Sequence, residues 1–185
     1  MEVILVFALL VGCLVWAFKS IGGNDEPQKK TVPFKIPEID KAKSISDIVM
    51  SLNHGRVYPY STGMSIERVR GIIKDNNLNT SNFDNHLQFY QMIGVTPCVE
   101  VPQMQNDFVE RITITTKDNV VSSIGVDIKN FDKNMKPLVE EIALKFGNPT
   151  SMDNEFIIWR EGCMVVNVCK NGSLAVIDER LFGNA

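Results

Sequence analysis

The stretch Glu155–Glu179, EFIIWREGCMVVNVCKNGSLAVIDE, decides the fold. Its apolar residues alternate with polar or smaller ones, the period of strands whose two faces meet different surroundings. Asn171-Gly172 is a strong type I′ hairpin signal, and Glu161-Gly162 is a weaker two-residue turn. The turns divide the stretch into strands Glu155–Arg160, Cys163–Cys169 and Leu174–Glu179. With both loops two residues long, one face collects Ile157, Trp159, Met164, Val166, Val168, Ala175 and Ile177. That set is uniformly apolar and is expected to meet helices. The opposite face collects Ile158, Arg160, Val165, Asn167, Cys169 and Val176. On it, Arg160, Asn167 and Cys169, together with an exposed edge strand, make the candidate binding surface.

Upstream, Val109–Thr116 and Val121–Ile128 read as a hairpin. Pairing Ile112 with Val126 and Ile114 with Ile124 requires an odd loop. Asp118-Asn119-Val120 is therefore expected, with a left-handed residue at or beside Asn119 and a bulge. Cys98–Val101 adds a short strand, and Arg56–Tyr60 another, broken by Pro59. Helices are expected at Ser46–Asn53 (capped by Ser44 or Ser46), Ser65–Lys74 (capped by Ser65) and Asn82–Ile93 (capped by Thr80 or Ser81, with Gly94 as the C′ residue). A fourth runs from Asn134 to Phe146, with Pro137 in its first turn and Gly147 and Pro149 ending it. The expected architecture is α+β: an antiparallel sheet of five or six strands with helices packed on one face.

The N-terminus has its own pattern. Val3–Phe18 reads VILVFALLVGCLVWAF, sixteen residues without charge or proline. A helix of that length rises roughly 24 Å, just short of a hydrocarbon core of about 30 Å, and Lys19 can snorkel. The favoured reading is a transmembrane anchor over residues 1–20, with Val3, Phe7, Leu10, Leu14, Trp16 and Phe18 among its lipid-facing residues. A cleaved signal peptide competes, but the basic n-region and an A-x-A site are missing. A lipoprotein also competes, because Leu10-Val11-Gly12-Cys13 resembles a lipobox, but the apolar LVWAF after Cys13 is unlike a polar tether. Lys19, Lys29, Lys30, Lys35, Lys41 and Lys43 all follow the run, which places the C-terminal domain on the cytoplasmic side of an inner membrane. Residues 21–43, with Pro27, Pro33 and Pro37, read as a tether, and 44–185 as a single domain.

The net charge is −3 and no long basic run occurs, so nucleic acid is not an expected partner. Past the anchor there are three cysteines, Cys98, Cys163 and Cys169. The last two, six apart in one straight strand, lie about 20 Å from each other and cannot bridge, while Cys98 remains free to pair with either. Unpaired thiols fit a reducing compartment.

Chemistry-bearing constellations are sparse. Cys98 and His86 make the best nucleophile pair on offer. His86, however, sits beside Asn85 and Gln88 on a helix, as a solvated residue does, and strand cysteines are usually inert packing. No C-x-x-C, H-x-x-x-H, H-E-x-x-H, G-x-G-x-x-G, P-loop or G-x-S-x-G occurs. Glu140-Glu141 point about 100° apart on a helix, as solvated carboxylates do. Asn106-Asp107 and Asp127–Asp132 lack the alternation of an EF-hand loop. No catalytic residue, metal or cofactor is expected.

Gly63-Met64-Ser65 before a helix, and Phe146-Gly147-Asn148-Pro149 before a β-meander, resemble small bacterial envelope domains of the SmpA/BLIP-like kind. The resemblance implies a Gly-Met-Ser turn opening a helix that packs on an antiparallel sheet, in a family that mostly acts by protein binding. It carries over no functional residue. The expected function is that of a membrane-anchored, non-enzymatic protein-binding domain, such as an adaptor of an envelope machine or an immunity or exclusion factor. The alternatives are a periplasmic lipoprotein with a binding domain, or a hydrolase with a cysteine-based site.

Overall fold

The alternation at 155–179 is realised as an antiparallel meander that forms half of a larger sheet. The computed structural model describes residues 36–103 and 106–182. In chain order these form a 3-10 turn (Ile39–Lys41), α1 (Ile45–Ser51), β1 (Leu52–Asn53), β2 (Arg56–Val57), β3 (Tyr60–Ser61), α2 (Ile66–Asp75) and α3 (Ser81–Met92). There follow β4 (Cys98–Glu100), β5 (Val109–Lys117), β6 (Val120–Ile128), α4 (Phe131–Phe146), β7 (Ser151–Met152), β8 (Phe156–Glu161), β9 (Met164–Cys169), β10 (Ser173–Asp178) and α5 (Glu179–Phe182). Seven strands make one sheet in the order β4-β5-β6-β10-β9-β8-β7, and β1-β2-β3 make a second, small one. Every pairing in both is antiparallel.

Helix starts follow local capping chemistry. The Ser44 hydroxyl accepts from the Asp47 amide at 3.1 Å, and the Ser65 hydroxyl accepts from the Arg68 amide at 3.3 Å. Gly94, at φ +69°, lies just beyond α3, in the left-handed conformation that glycine adopts without steric cost. The apolar faces of α1 to α4 meet one side of the large sheet in a single core. Ile48, Ile73, Leu87 and Leu138 on the helices join Ile112, Ile124, Val168, Leu174 and Val176 on the strands. Ile39 and Ala42 are buried in the same core.

Several expectations are corrected. The sheet has seven strands rather than five or six, and the three-stranded sheet was not expected. The additional strand β7 has only two residues, too few to display a period.

The turn between β9 and β10 is three residues long, because Cys169 pairs with Ser173. That extra residue flips β10: Leu174 and Val176 face the core in place of Ala175 and Ile177. The turn between β8 and β9 is Gly162-Cys163, since Glu161 pairs with Met164. This slides the pairing by two residues and leaves the faces of β8 and β9 as expected.

The β5–β6 pairing is the expected one, Ile112 with Val126 and Ile114 with Ile124. Its loop, however, is the two residues Asp118-Asn119, both at positive φ, and a bulge between Thr115 and Thr116 supplies the odd residue. Helix α4 begins at Phe131, so Pro137 lies inside it rather than in its first turn. Burial of Phe131 starts the helix early, and Pro137 forgoes one backbone hydrogen bond.

The last correction concerns the membrane. No helix among the described residues is long and apolar enough to cross one. The longest, α4, has 16 residues and carries Lys133, Lys136, Glu140 and Glu141. The residues expected to form an anchor, Val3, Phe7, Leu10, Leu14, Trp16 and Phe18, lie outside the described residues, as does Cys13. The expectations of a transmembrane helix and of a single-pass inner-membrane location are not supported.

Candidate binding surface

A seven-stranded sheet has two faces, and α1 to α4 bury only one. The other face is organised in cross-strand rows by the register. Its central row runs Glu100, Thr113, Gly125, Ala175, Asn167, Ile158, one residue from each of β4, β5, β6, β10, β9 and β8. Thr113, Gly125, Ala175, Asn167 and Ile158 are partly exposed, and Glu100 is exposed. Their sequence neighbours Ile112, Ile124, Leu174, Val168 and Ile157, pointing the other way, are buried.

The centre of the row is small and uncharged. Gly125 makes a close approach there: a Cβ at this position would lie 2.5 Å from Thr113 Oγ1, and the Thr113 side chain would have to shift. Asn167 sits mid-row, and its Oδ1 is buried without a hydrogen-bond partner among the described residues. A buried acceptor without a donor costs about 1–3 kcal/mol.

Charge flanks the centre on both sides. Arg160 is cross-strand from Val165 and forms an ion pair with Glu179. Because Val165 also pairs with Ile177 of β10, the Arg160–Glu179 bridge spans β9. On the far side Arg111 Nε donates to Asp127 Oδ2 at 2.8 Å. That hydrogen bond, with Glu100 and Glu110 nearby, pushes the guanidinium pKa above its usual value.

Two cavities open on the β4–β6 half of the face. One, about 570 Å³, lies between α3 (His86, Phe89, Tyr90) and the strand residues Cys98, Glu100, Arg111, Thr113 and Asp127. The second, about 540 Å³, shares Glu100, Arg111 and Asp127, adds Glu110, and continues to Phe131 and the Asn171-Gly172 turn. Together they form one trough with α3 as a wall.

The residues singled out from sequence fall as follows. Arg160, Asn167 and Cys169 share the open face, with Arg160 exposed and the other two partly so. Cys98 and His86 line the same cavity, yet no hydrogen bond joins them among the described residues. His54 Nε2 faces the Glu161 carboxylate, and its ring stacks edge-on against Phe146 at 5.1 Å. Cys98, Cys163 and Cys169 are free thiols, and Cys163 lies in a turn rather than a strand. Among the described residues no group of three or more His, Cys, Asp or Glu side chains is placed to hold a metal ion.

Sequence reasoning missed Glu100, Arg111 and Thr113 as surface partners. Alternation already turned them outward, but only the β6–β10 pairing, between strands far apart in sequence, brings them level with Asn167. No protein-family model matches the chain, no curated protein matches it, and no solved structure matches it.

Proposed function

We propose that the chain is a non-catalytic binding domain whose protein partner docks on the open face of the seven-stranded sheet. The observation that carries this is the central row: an uncharged strip across the five strands β5, β6, β10, β9 and β8, left partly exposed and flanked by the Arg160–Glu179 and Arg111–Asp127 ion pairs. An uncharged centre with a charged rim is the composition of protein interfaces. Ile158 adds a partly exposed aliphatic side chain to the strip, and covering it is worth about 25 cal/mol per Å² of apolar surface. The resemblance of the Gly63-Met64-Ser65 turn to those of protein-binding envelope domains points the same way.

The test is a photo-crosslinking scan in the native host. A benzophenone amino acid placed at Ile158, Ala175 or Thr113 is expected to capture one discrete partner. The same probe at Leu144 or Lys74, on the helix side, is expected to capture none. Adding Asn167→Arg is expected to abolish the adduct. Equal capture from both sides, or capture from the helix side alone, contradicts the reading.

A further inference from the structure

Helix α3 carries two apolar stripes. Phe83 and Leu87 enter the core, with Tyr90 packed against it, as one stripe of an amphipathic helix should. Phe89, Met92 and Ile93 form another at i, i+3 and i+4, and nothing described covers it. They are 52, 77 and 48 % exposed, and Val95 just beyond the helix is 52 % exposed. Of the seven large hydrophobic residues exposed among those described, four fall in this stretch of seven residues. Concentration of that kind, unlike scattered surface leucines, marks an interaction site.

What lies beside the stripe identifies its partner. Phe89 also walls the trough, whose charged lining is Glu100, Glu110, Asp127 and Arg111. Asp127 is engaged by Arg111, so Glu100 and Glu110 are left as two exposed carboxylates without a salt bridge among the described residues. No lysine lines either cavity. The surface is thus an apolar ridge along an acidic groove, which repels polyanions and complements a cation-bearing apolar segment.

We infer that the α3 ridge and the Glu100–Glu110 groove dock a basic amphipathic segment of the partner protein, its apolar side on Phe89, Met92 and Ile93 and its lysines or arginines over the two carboxylates. This rests on the reading of the domain as a protein binder and specifies the chemistry of what it binds. Helix-on-groove recognition reads such a segment through anchors at i, i+3, i+4 and i+7.

The test uses the full-length chain and two fluorescein-labelled peptides of one amphipathic pattern, one of leucine and lysine, the other of leucine and glutamate. Fluorescence anisotropy is expected to show binding of the lysine peptide alone, weakened about tenfold by Glu100→Lys with Glu110→Lys and by a similar factor in Phe89→Ser. Both variants alter exposed side chains, and an unchanged far-ultraviolet circular dichroism spectrum confirms that they fold. Equal binding of both peptides, or lysine-peptide binding that the substitutions leave unchanged, overturns the inference. So does sedimentation equilibrium showing a dimer that Phe89→Ser dissociates, since a second copy then covers the ridge. Crosslinks from Ile158 and Ala175 that persist while the lysine peptide fails to bind overturn this inference and leave the docking face standing.

Discussion

Two buried aspartates show how single residues set the pH response of this domain in opposite directions. Asp40 is 4 % exposed, and its Oδ1 lacks a partner among the described residues. Burial, reinforced by Glu38, pushes its carboxyl above the ordinary value of 3.8. A raised folded-state pKa contributes stability that is full below 3.8 and is lost as pH climbs through the raised value. Asp40→Asn is therefore expected to gain on the native chain as pH rises from about 4 to 7, reaching on the order of 1 kcal/mol. Urea unfolding at several pH values measures it, and a pH-independent gap contradicts it.

Asp178, 3 % exposed, has the reverse sign. The Arg180 guanidinium donates to both its oxygens at 2.9 and 2.7 Å and holds its pKa below the usual value. Its contribution is present above the ordinary carboxylate range and is lost as pH falls through the depressed value. Asp178→Ala is expected to cost about 1–2 kcal/mol near neutral pH, and the cost is expected to shrink on acidification in the same urea titrations.

At the scale of elements, α1 shows one helix completing another. It has seven residues, no basic residue in its last turn, and runs straight into β1. Isolated helices shorter than about 12–15 residues are marginal, and the terminal carbonyls of α1 need donors. Lys145, on the last turn of α4, supplies them. Its ammonium donates to the carbonyls of Val49, at 2.9 Å, and of Leu52. The loss of water there lowers the Lys145 pKa. Lys145→Met is expected to destabilise by about 1–2 kcal/mol, whereas Lys136→Met, on the solvated side of the same helix, should stay within about 0.5 kcal/mol. Thermal unfolding of both variants decides it.

Helix caps were legible from sequence for a local reason: Ser44, Ser65 and Gly94 act on amides or dihedrals within a few residues. The start of α4, the strand β7 and the Lys170–Gly172 turn were not legible. Phe131 begins α4 because it finds a place in the core, packed beside Gly172, where a Cβ would sit in ordinary contact with Phe131 Cβ at 3.5 Å. The same contact accompanies φ +116° at Gly172 and the three-residue turn. Local propensity for Asn-Gly favours two residues, and tertiary packing overrides it.

For the whole molecule, the question is which surface is available. Arg160, Asn167 and Cys169 were placed on one face correctly because the two-residue slip between β8 and β9 preserves side-chain parity. The rest of that face was hidden: β10 lies between β9 and β6, and a pairing across some fifty residues leaves no periodic trace. The same register gives the face its uncharged centre, so the docking surface and the strand order stand or fall together.

Native-state thiol labelling tests that dependence most directly. In a chain whose Cys13, Cys98, Cys163 and Cys169 are replaced by serine, Ala175→Cys should react with a water-soluble maleimide while the protein is folded. Leu174→Cys should react only on unfolding. If Leu174→Cys labels in the folded chain and Ala175→Cys is protected, β10 presents the opposite face, the central row does not exist, and the proposed docking surface goes with it.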